Sequence, residues 1–314
     1  MVNRAALRGI RLVFTALALL SPLTQAELVV YTAQLIRTME PSLPTATAVA
    51  VENGLIVAVG SEASLTPLVK AREGKVDRQF AEQIMLPGFI DPHVHPALPA
   101  VLTQFPFLAP DDWSLPTGEF PGETTPKGYR TRLTELAAQH NDPSVPFIVW
   151  GYHPLWHGKI WRQELNEWFG DQPVMLWHRS FHELIGNDAA WKLLGVTQED
   201  APIEEGVDWE RGHFYENGLK AVIPKLNFLF APERFGPGMF NFLAMLHQAG
   251  VTTALDMGTG VYGNPTAEIA GVRAAADAYP VPTRLILTPI ILDFLTREQS
   301  PTDALAEIRH WQKD

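Results

Sequence analysis

The feature that most limits the fold of this chain is the alternation of helical and strand-like segments from about Pro126 onward. Apolar residues recur there at helical spacing in some stretches, and short β-rich runs separate these stretches. Helices are predicted at 129–140, 187–194, 239–249, 265–278 and 302–311, and strands at 147–150, 174–177, 251–257 and 284–287. Strands that alternate with helices favour an α/β fold with a parallel sheet or barrel.

Residues 27–86 differ from this region, because they read as strands without intervening helices. Strands are predicted at 28–36, 46–52 and 55–60, and Asn53-Gly54 joins the last two. Both positions of such a dipeptide tolerate a positive φ, so it indicates a tight hairpin. A small antiparallel sheet is therefore expected before the α/β region.

The first 26 residues have the pattern of a secretory signal peptide. Arg4, Arg8 and Arg11 precede an apolar run over 12–20, and Thr24-Gln25-Ala26 offers small residues for cleavage. This apolar run is too short to span a bilayer comfortably. The protein is predicted to be secreted or periplasmic, with cleavage near Ala26 and no stable membrane insertion afterwards.

Charge and cysteine content narrow the possible partners. Removal of the three leader arginines would take the formal net charge from −11 to −14, and so acidic a surface disfavours nucleic acid and anionic membranes. The chain has no cysteine, so histidine and carboxylate side chains would have to bind any metal. A small-molecule substrate is the expected partner.

Residues 85–96, Met-Leu-Pro-Gly-Phe-Ile-Asp-Pro-His-Val-His-Pro, carry the clearest chemical signal. An apolar strand leads into Asp91, His93 and His95, and alternate residues of a strand point to the same face. Pro96 lacks the N–H that a strand ladder needs, so the strand is expected to end there. Two neighbouring imidazoles can hold one divalent metal such as zinc. A solvated turn with two unrelated histidines is the alternative interpretation of the pair alone.

Other polar residues are weaker candidates for the same chemistry. His178 and His182 are four positions apart, but Arg179 stands where a zinc-protease helix has its glutamate, so His182 alone is the stronger candidate. Glu216 could give a carboxylate to a metal, and Asp256 ends an apolar strand. A solvated loop residue and a helix cap are the structural alternatives for these two carboxylates.

These motifs resemble the amidohydrolase superfamily. The small β-sheet followed by Leu-Pro-Gly-Phe-Ile-Asp-Pro-His-Val-His carries this resemblance. More narrowly, the chain is similar to the amidohydrolase-3 branch that includes N-substituted formamide deformylases, the YtcJ-like group. In that comparison His182 is followed five residues later by Asn187 and a short helix, and Gly212 stands four residues before Glu216. The segment Gly250-Val-Thr-Thr matches a Gly-x-Thr-Thr strand of the branch.

The resemblance implies a β-sandwich over 27–86 and a TIM-like (β/α)8 barrel over 87–314, with an inserted loop region at about 100–180. It implies a metal-dependent hydrolase of non-peptide carbon–nitrogen bonds, such as amides or formamides, in which metal-activated water attacks the carbonyl. His93, His95 and Glu216 would then bind a divalent metal, zinc in particular, and His182 and Asn187 would contact the substrate. A late-barrel aspartate acts as base in the superfamily, and no match to it is found in this sequence.

The strand count predicts that the barrel is incomplete. About five strands are predicted in the barrel region, whereas a closed (β/α)8 barrel needs eight. An open parallel edge is disfavoured in native proteins, so the sequence predicts a fragment of a larger enzyme. A catalytically inactive metal- or small-molecule-binding module on the same scaffold is the alternative. A cupin also uses His-x-His, but Pro99 and Ala100 occupy the places of its glutamate.

Overall fold

The computed structural model describes residues 27–199, 206–260, 265–290 and 300–311. The predicted signal peptide over 1–26 lies outside these residues. The chain divides into two compact units, one ending at Pro87 and the other beginning at Gly88. Within the described ranges, no helix is long and apolar enough to cross a membrane.

The first unit contains one four-stranded sheet, in the order β3-β2-β1-β4, and one helix. Its elements are β1 (Val29–Arg37), β2 (Thr45–Glu52), β3 (Leu55–Gly60), α1 (Glu62–Ala71) and β4 (Lys75–Met85). The predicted hairpin is confirmed, because Glu52 pairs with Leu55 across Asn53 and Gly54, whose φ angles are 56° and 74°. One sheet is seen over 27–87, so the sandwich stays a prediction.

The sheet of the first unit is mixed, whereas the sequence predicts a purely antiparallel sheet. β2 pairs with β1 and β3 in the antiparallel sense, whereas β4 pairs with β1 in the parallel sense. The segment between β1 and β4 contains β2, β3 and helix α1, and it provides the long connection that parallel pairing needs. Leu65 of α1 packs on Leu28, Val30, Ala48 and Ala50, which form the core of this unit.

The second unit combines helices with three sheets among its described residues. Its elements are β5 (Phe89–Val94), α2 (Ala97–Leu102), β6 (Trp113–Leu115), β7 (Gly118–Phe120), α3 (Pro126–Ala137), β8 (Phe147–Tyr152), α4 (Pro154–His157), α5 (Arg162–Phe169), β9 (Val174–His178), β10 (Glu183–Gly186), α6 (Asp188–Leu193), β11 (Val207–Asp208), β12 (His213–Tyr215), α7 (Asn217–Val222), a 3-10 helix (Ile223–Phe230), α8 (Pro232–Gln248), β13 (Val251–Thr259), α9 (Pro265–Ala278), β14 (Arg284–Pro289) and α10 (Pro301–Trp311). The sheets have the orders β11-β12-β10-β9-β8, β14-β13-β5 and β6-β7.

Parallel pairing joins the strands of the predicted α/β pattern. β8 pairs with β9, and β13 pairs with both β5 and β14, all in the parallel sense. In contrast, β9, β10, β12 and β11 pair in the antiparallel sense. Only residues 179–182 separate β9 from β10, which is too short a connection for a parallel crossover. The α/β class is therefore confirmed, whereas the described strands lie in separate sheets and show no closed barrel.

Helix α8 begins at Pro232, seven residues before the predicted start at 239. Pro232 occupies the first turn, where a missing N–H costs little, and Pro237 lies inside the helix although proline usually marks a break there. A Cβ added to Gly238 would lie 1.9 Å from the carbonyl oxygen of Ala100 in α2. The absence of a side chain at this position thus lets α8 pack closely against the helix that follows β5.

Candidate metal centre and adjoining cavity

Strand β5 brings His93 and His95 together at its carboxyl end. Their Nε2 atoms lie 3.3 Å apart, and the rings are nearly perpendicular with centroids 5.1 Å apart. The carboxylate of Asp91 accepts a hydrogen bond from the backbone N–H of His93 at 3.1 Å. The two rings therefore face each other, as the sequence pattern predicts. The Asp91 carboxylate bonds the backbone of its own strand instead.

The spacing of the two imidazoles suits a shared divalent cation. Two nitrogens bound tetrahedrally to zinc at about 2.0–2.1 Å are roughly 3.3–3.4 Å apart, close to the observed distance of 3.3 Å. Within the described part of the chain, no three His, Cys, Asp or Glu side chains come close enough to hold a metal ion. His93 and His95 therefore fit as two ligands, and metal binding stays a prediction.

Asp256 of β13 lies behind His95. Its Oδ1 atom is 3.3 Å from His95 Nδ1, and the side chain is only 2 % exposed. The carboxylate also accepts hydrogen bonds from the backbone N–H of Gly258 at 2.9 Å and from the Thr259 hydroxyl at 2.6 Å. A Cβ at Gly258 would lie 2.6 Å from His95 Nδ1, so glycine leaves room for the imidazole. The pairing of β13 with β5 creates this contact.

His95 also lines a cavity of about 430 Å³ in the second unit. The other lining residues are Leu98, Trp177, Ser180, Phe181, His182, Glu216, Leu219, Lys220, Ile223 and Ile290. Most of the wall is apolar, with a few polar groups beside it, as is common for small-molecule sites. A larger cavity of about 700 Å³ lies beside α9 and β14 and is lined by none of the candidate site residues. We therefore take the smaller cavity as the candidate substrate site.

His182 and Glu216 face each other on the wall of this cavity. His182 Nδ1 lies 3.3 Å from the Glu216 carboxylate, and the backbone N–H of Glu216 donates to the carbonyl of His182 at 3.0 Å. Both side chains are exposed. Glu216 shares a cavity with His95, but among the described residues it does not form a three-ligand cluster with His93 and His95, so its role as a metal ligand stays a prediction.

The sequence profile of the amidohydrolase family matches residues 81–313, which is most of the chain. This chain belongs to the amidohydrolase family. The matched residues include the boundary between the two units at Pro87 and Gly88. They also include the His-x-His strand and every residue that lines the candidate substrate cavity. No curated protein matches this sequence.

Two solved structures resemble this chain in fold. An uncharacterised metal-dependent hydrolase from Pyrococcus horikoshii OT3 has a TM-score of 0.63 and 16 % identity, covering 87 % of this chain and 50 % of that one. A second, from Pyrococcus furiosus, has a TM-score of 0.58 and 14 % identity, covering 86 % and 52 %. The chain thus spans about half the length of these proteins. At such identities the likeness concerns the fold, and it supports a TIM-like architecture.

Asn187 is fully buried and caps α6, which lies within the helix predicted over 187–194. Its Oδ1 atom accepts from the backbone N–H groups of Val174 at 3.1 Å and Ala190 at 2.9 Å. Its Nδ2 atom donates to the carbonyl of Gln172 at 2.8 Å. Asn187 is not among the residues that line the candidate cavity, so its predicted contact with substrate stays a prediction.

His178 holds the loop that carries His182. Its Nδ1 atom accepts from the backbone N–H of Ser180 at 3.0 Å and lies 2.7 Å from the Ser180 hydroxyl. Burial lowers the pKa of His178, which favours the neutral ring that this acceptor role needs. Glu183, 3.7 Å from His178 Nδ1, also bonds His213 at 2.8 Å.

Sequence reasoning missed Ser180, because its place in the cavity depends on the β9–β10 pairing and no local motif marks it.

Proposed function

We propose that this chain is part of an exported, metal-dependent hydrolase that cleaves non-peptide carbon–nitrogen bonds, with amides or formamides as substrates. The observation that carries the proposal is the 3.3 Å separation of the Nε2 atoms of His93 and His95 at the end of β5. Family membership supports hydrolysis. The two Pyrococcus proteins of similar fold are named metal-dependent hydrolases, which supports a metal.

The cavity residues suggest which side chains would bind the metal and which would bind the substrate. His93 and His95 would hold the metal, with zinc favoured by the imidazole ligands, and Glu216 would add a carboxylate from the cavity wall. When bound, such a metal supplies a Lewis acid that activates water and polarises a carbonyl group. His182 would hydrogen-bond the amide group of the substrate. The apolar wall would bind an apolar substituent and keep water away from it.

Zinc titration of the metal-free full-length chain, followed by calorimetry, tests the metal site. The wild-type chain is expected to bind zinc. H93A or H95A removes a ligand and should weaken binding by at least the roughly 10- to 100-fold that changes behind a ligand cause. H310A is the control, because His310 is exposed on α10 and lies outside the candidate site. Unchanged zinc affinity in the H93A/H95A double variant would show that the metal site has been placed wrongly.

Hydrolysis of a substrate panel tests the reaction itself. Zinc-loaded protein is offered formamides, longer amides and matched esters, and release of the acid and amine products is measured. Carbon–nitrogen cleavage in the wild type and its loss in H93A/H95A is the expected result. Zinc binding at His93 and His95 without cleavage of any panel member would contradict the assignment as a hydrolase.

A further inference from the structure

We propose that Asp256 is a positioning residue that sets the tautomer of His95, which makes His95 the preformed ligand of the pair and His93 the adaptable one. This inference rests on the proposed function, because it concerns a metal that the two histidines would share. It assigns different roles to two residues that the His-x-His motif leaves equivalent.

Asp256 is held rigidly in an accepting role. The Gly258 N–H bonds its Oδ1 at 2.9 Å and the Thr259 hydroxyl bonds its Oδ2 at 2.6 Å. The side chain is 2 % exposed, so water does not compete for its oxygens. Because both oxygens already accept hydrogen bonds, we expect Asp256 to act through His95 and not as a direct metal ligand.

The position of Asp256 decides where neutral His95 carries its proton. Asp256 Oδ1 lies 3.3 Å from Nδ1 of His95, and the same oxygen already accepts from the Gly258 N–H, so it faces His95 as an acceptor. The proton therefore belongs on Nδ1, which leaves the lone pair of Nε2 available for a metal. A carboxylate behind a ligating histidine is known to fix the ring and raise its basicity.

The state of His93 follows from that of His95. Two unprotonated nitrogens 3.3 Å apart would repel each other, so the Nε2 of His93 carries the proton between them when both rings are neutral. His93 must therefore carry this proton on Nδ1 instead before its Nε2 can bind a metal. The ring of His93 is exposed, whereas Asp256 contacts Nδ1 of His95.

Nitrogen NMR of the metal-free full-length chain with ¹⁵N-labelled histidine tests the assignment directly. At pH 8, above the ordinary histidine pKa of about 6.5, protonated and unprotonated ring nitrogens have distinct shifts, and H93Q and H95Q assign the signals. We expect the proton on Nδ1 of His95 and on Nε2 of His93. Added zinc should move the ring proton of His93 from Nε2 to Nδ1 and leave the proton of His95 on Nδ1. A wild-type His95 that carries its proton on Nε2 overturns the proposal, and this measurement needs no Asp256 variant.

Two substitutions separate tautomer control from a purely structural role. D256N can keep an oxygen toward Gly258 and His95 while the Thr259 hydroxyl turns to accept, so the His95 tautomer should be retained. D256A removes the acceptor, so the proton should move to Nε2, and zinc affinity should fall about 10- to 100-fold. A folded D256A that keeps the Nδ1 proton overturns the proposal.

If D256A does not fold, the spectra of the wild type and of D256N test the proposal instead, because asparagine preserves the side-chain volume and a hydrogen-bond acceptor. An Nε2 proton on His95 in D256N would contradict the proposal. Expected tautomers in a wild-type chain that binds no zinc would overturn the proposed function, while control of His95 by Asp256 would stand.

Discussion

His182 Nδ1 lies 3.3 Å from the carboxylate of Glu216, although 34 positions separate the two residues. The pairing of Glu183 with Tyr215 in β10 and β12 brings their neighbours together. The side chains are 63 % and 67 % exposed, and exposed ion pairs contribute only about 0–1 kcal/mol to stability. The pair therefore contributes little to the stability of the fold, and its polar groups matter mainly for binding in the cavity.

The two members of this pair are expected to respond differently to substitution. H182Q should lower kcat/KM for an amide substrate without lowering the zinc content, because His182 is predicted to contact substrate. E216Q should lower the zinc content, because an amide is a poorer metal ligand than a carboxylate. Metal analysis and kinetics check both, with E210Q as an exposed charge control. Full zinc content in E216Q would exclude Glu216 as a ligand.

Glu216 has a φ of 49°, a region that residues other than glycine enter at a cost of about 1–3 kcal/mol. We therefore expect E216G to be more stable than E216A by about 1 kcal/mol in urea unfolding. Glu135, exposed on α3, provides the matched control. There the glycine variant should be less stable than the alanine variant by about 1 kcal/mol. The same order at both positions would show that the backbone at Glu216 is unstrained.

The close approach of α8 to α2 predicts a position-specific effect of alanine. G238A should lower the free energy of unfolding by about 1–3 kcal/mol, because its Cβ would meet the Ala100 carbonyl at 1.9 Å and the helices must separate. Gly236 is the control in the same helix, since a Cβ there meets nothing within 4 Å. G236A should remain within about 1 kcal/mol of the wild type. Thermal or urea unfolding measures both, and equal losses would argue against close packing at Gly238.

Features decided by neighbouring residues could be predicted from the sequence. Asn53-Gly54 predicts its hairpin because the two φ angles are local. Asn187 predicts the start of α6 because its side chain bonds an N–H three residues away. The facing of His93 and His95 follows from the two-residue period of a strand.

Features that depend on the pairing of distant strands could not be predicted in this way. The sequence places Asp256 at the end of a strand, whereas β13 continues to Thr259. The contact of Asp256 with His95, 161 positions away, depends on β13 lying beside β5. The antiparallel β9–β10 pair likewise brings Ser180 into the cavity wall. Sequence patterns give the elements, whereas the site arises from how these elements are paired.

His157 is a buried histidine whose hydrogen bonds require one neutral tautomer. It is 1 % exposed, its Nδ1 accepts the His153 backbone N–H at 3.0 Å, and its Nε2 donates to the Glu123 carbonyl at 2.8 Å. Burial is the main cause that lowers the pKa of His157 to about 4. This value lies below the unfolded-state pKa of about 6.5. The neutral ring therefore contributes its full stability above pH 6.5, and this contribution is lost as the pH falls through 4.

Substitution of His157 by glutamine is expected to reduce this pH dependence. Glutamine can donate and accept hydrogen bonds but does not titrate, so H157Q should be less stable than the wild type at pH 7.5 through its changed packing against Tyr129. Between pH 7.5 and pH 4.5 the wild type should lose about 2 kcal/mol more than H157Q, because only its imidazole gains a proton on unfolding. Urea unfolding at the two pH values measures the difference. Equal losses in the two proteins would show that His157 binds no additional proton on unfolding, contrary to the effect expected from its burial.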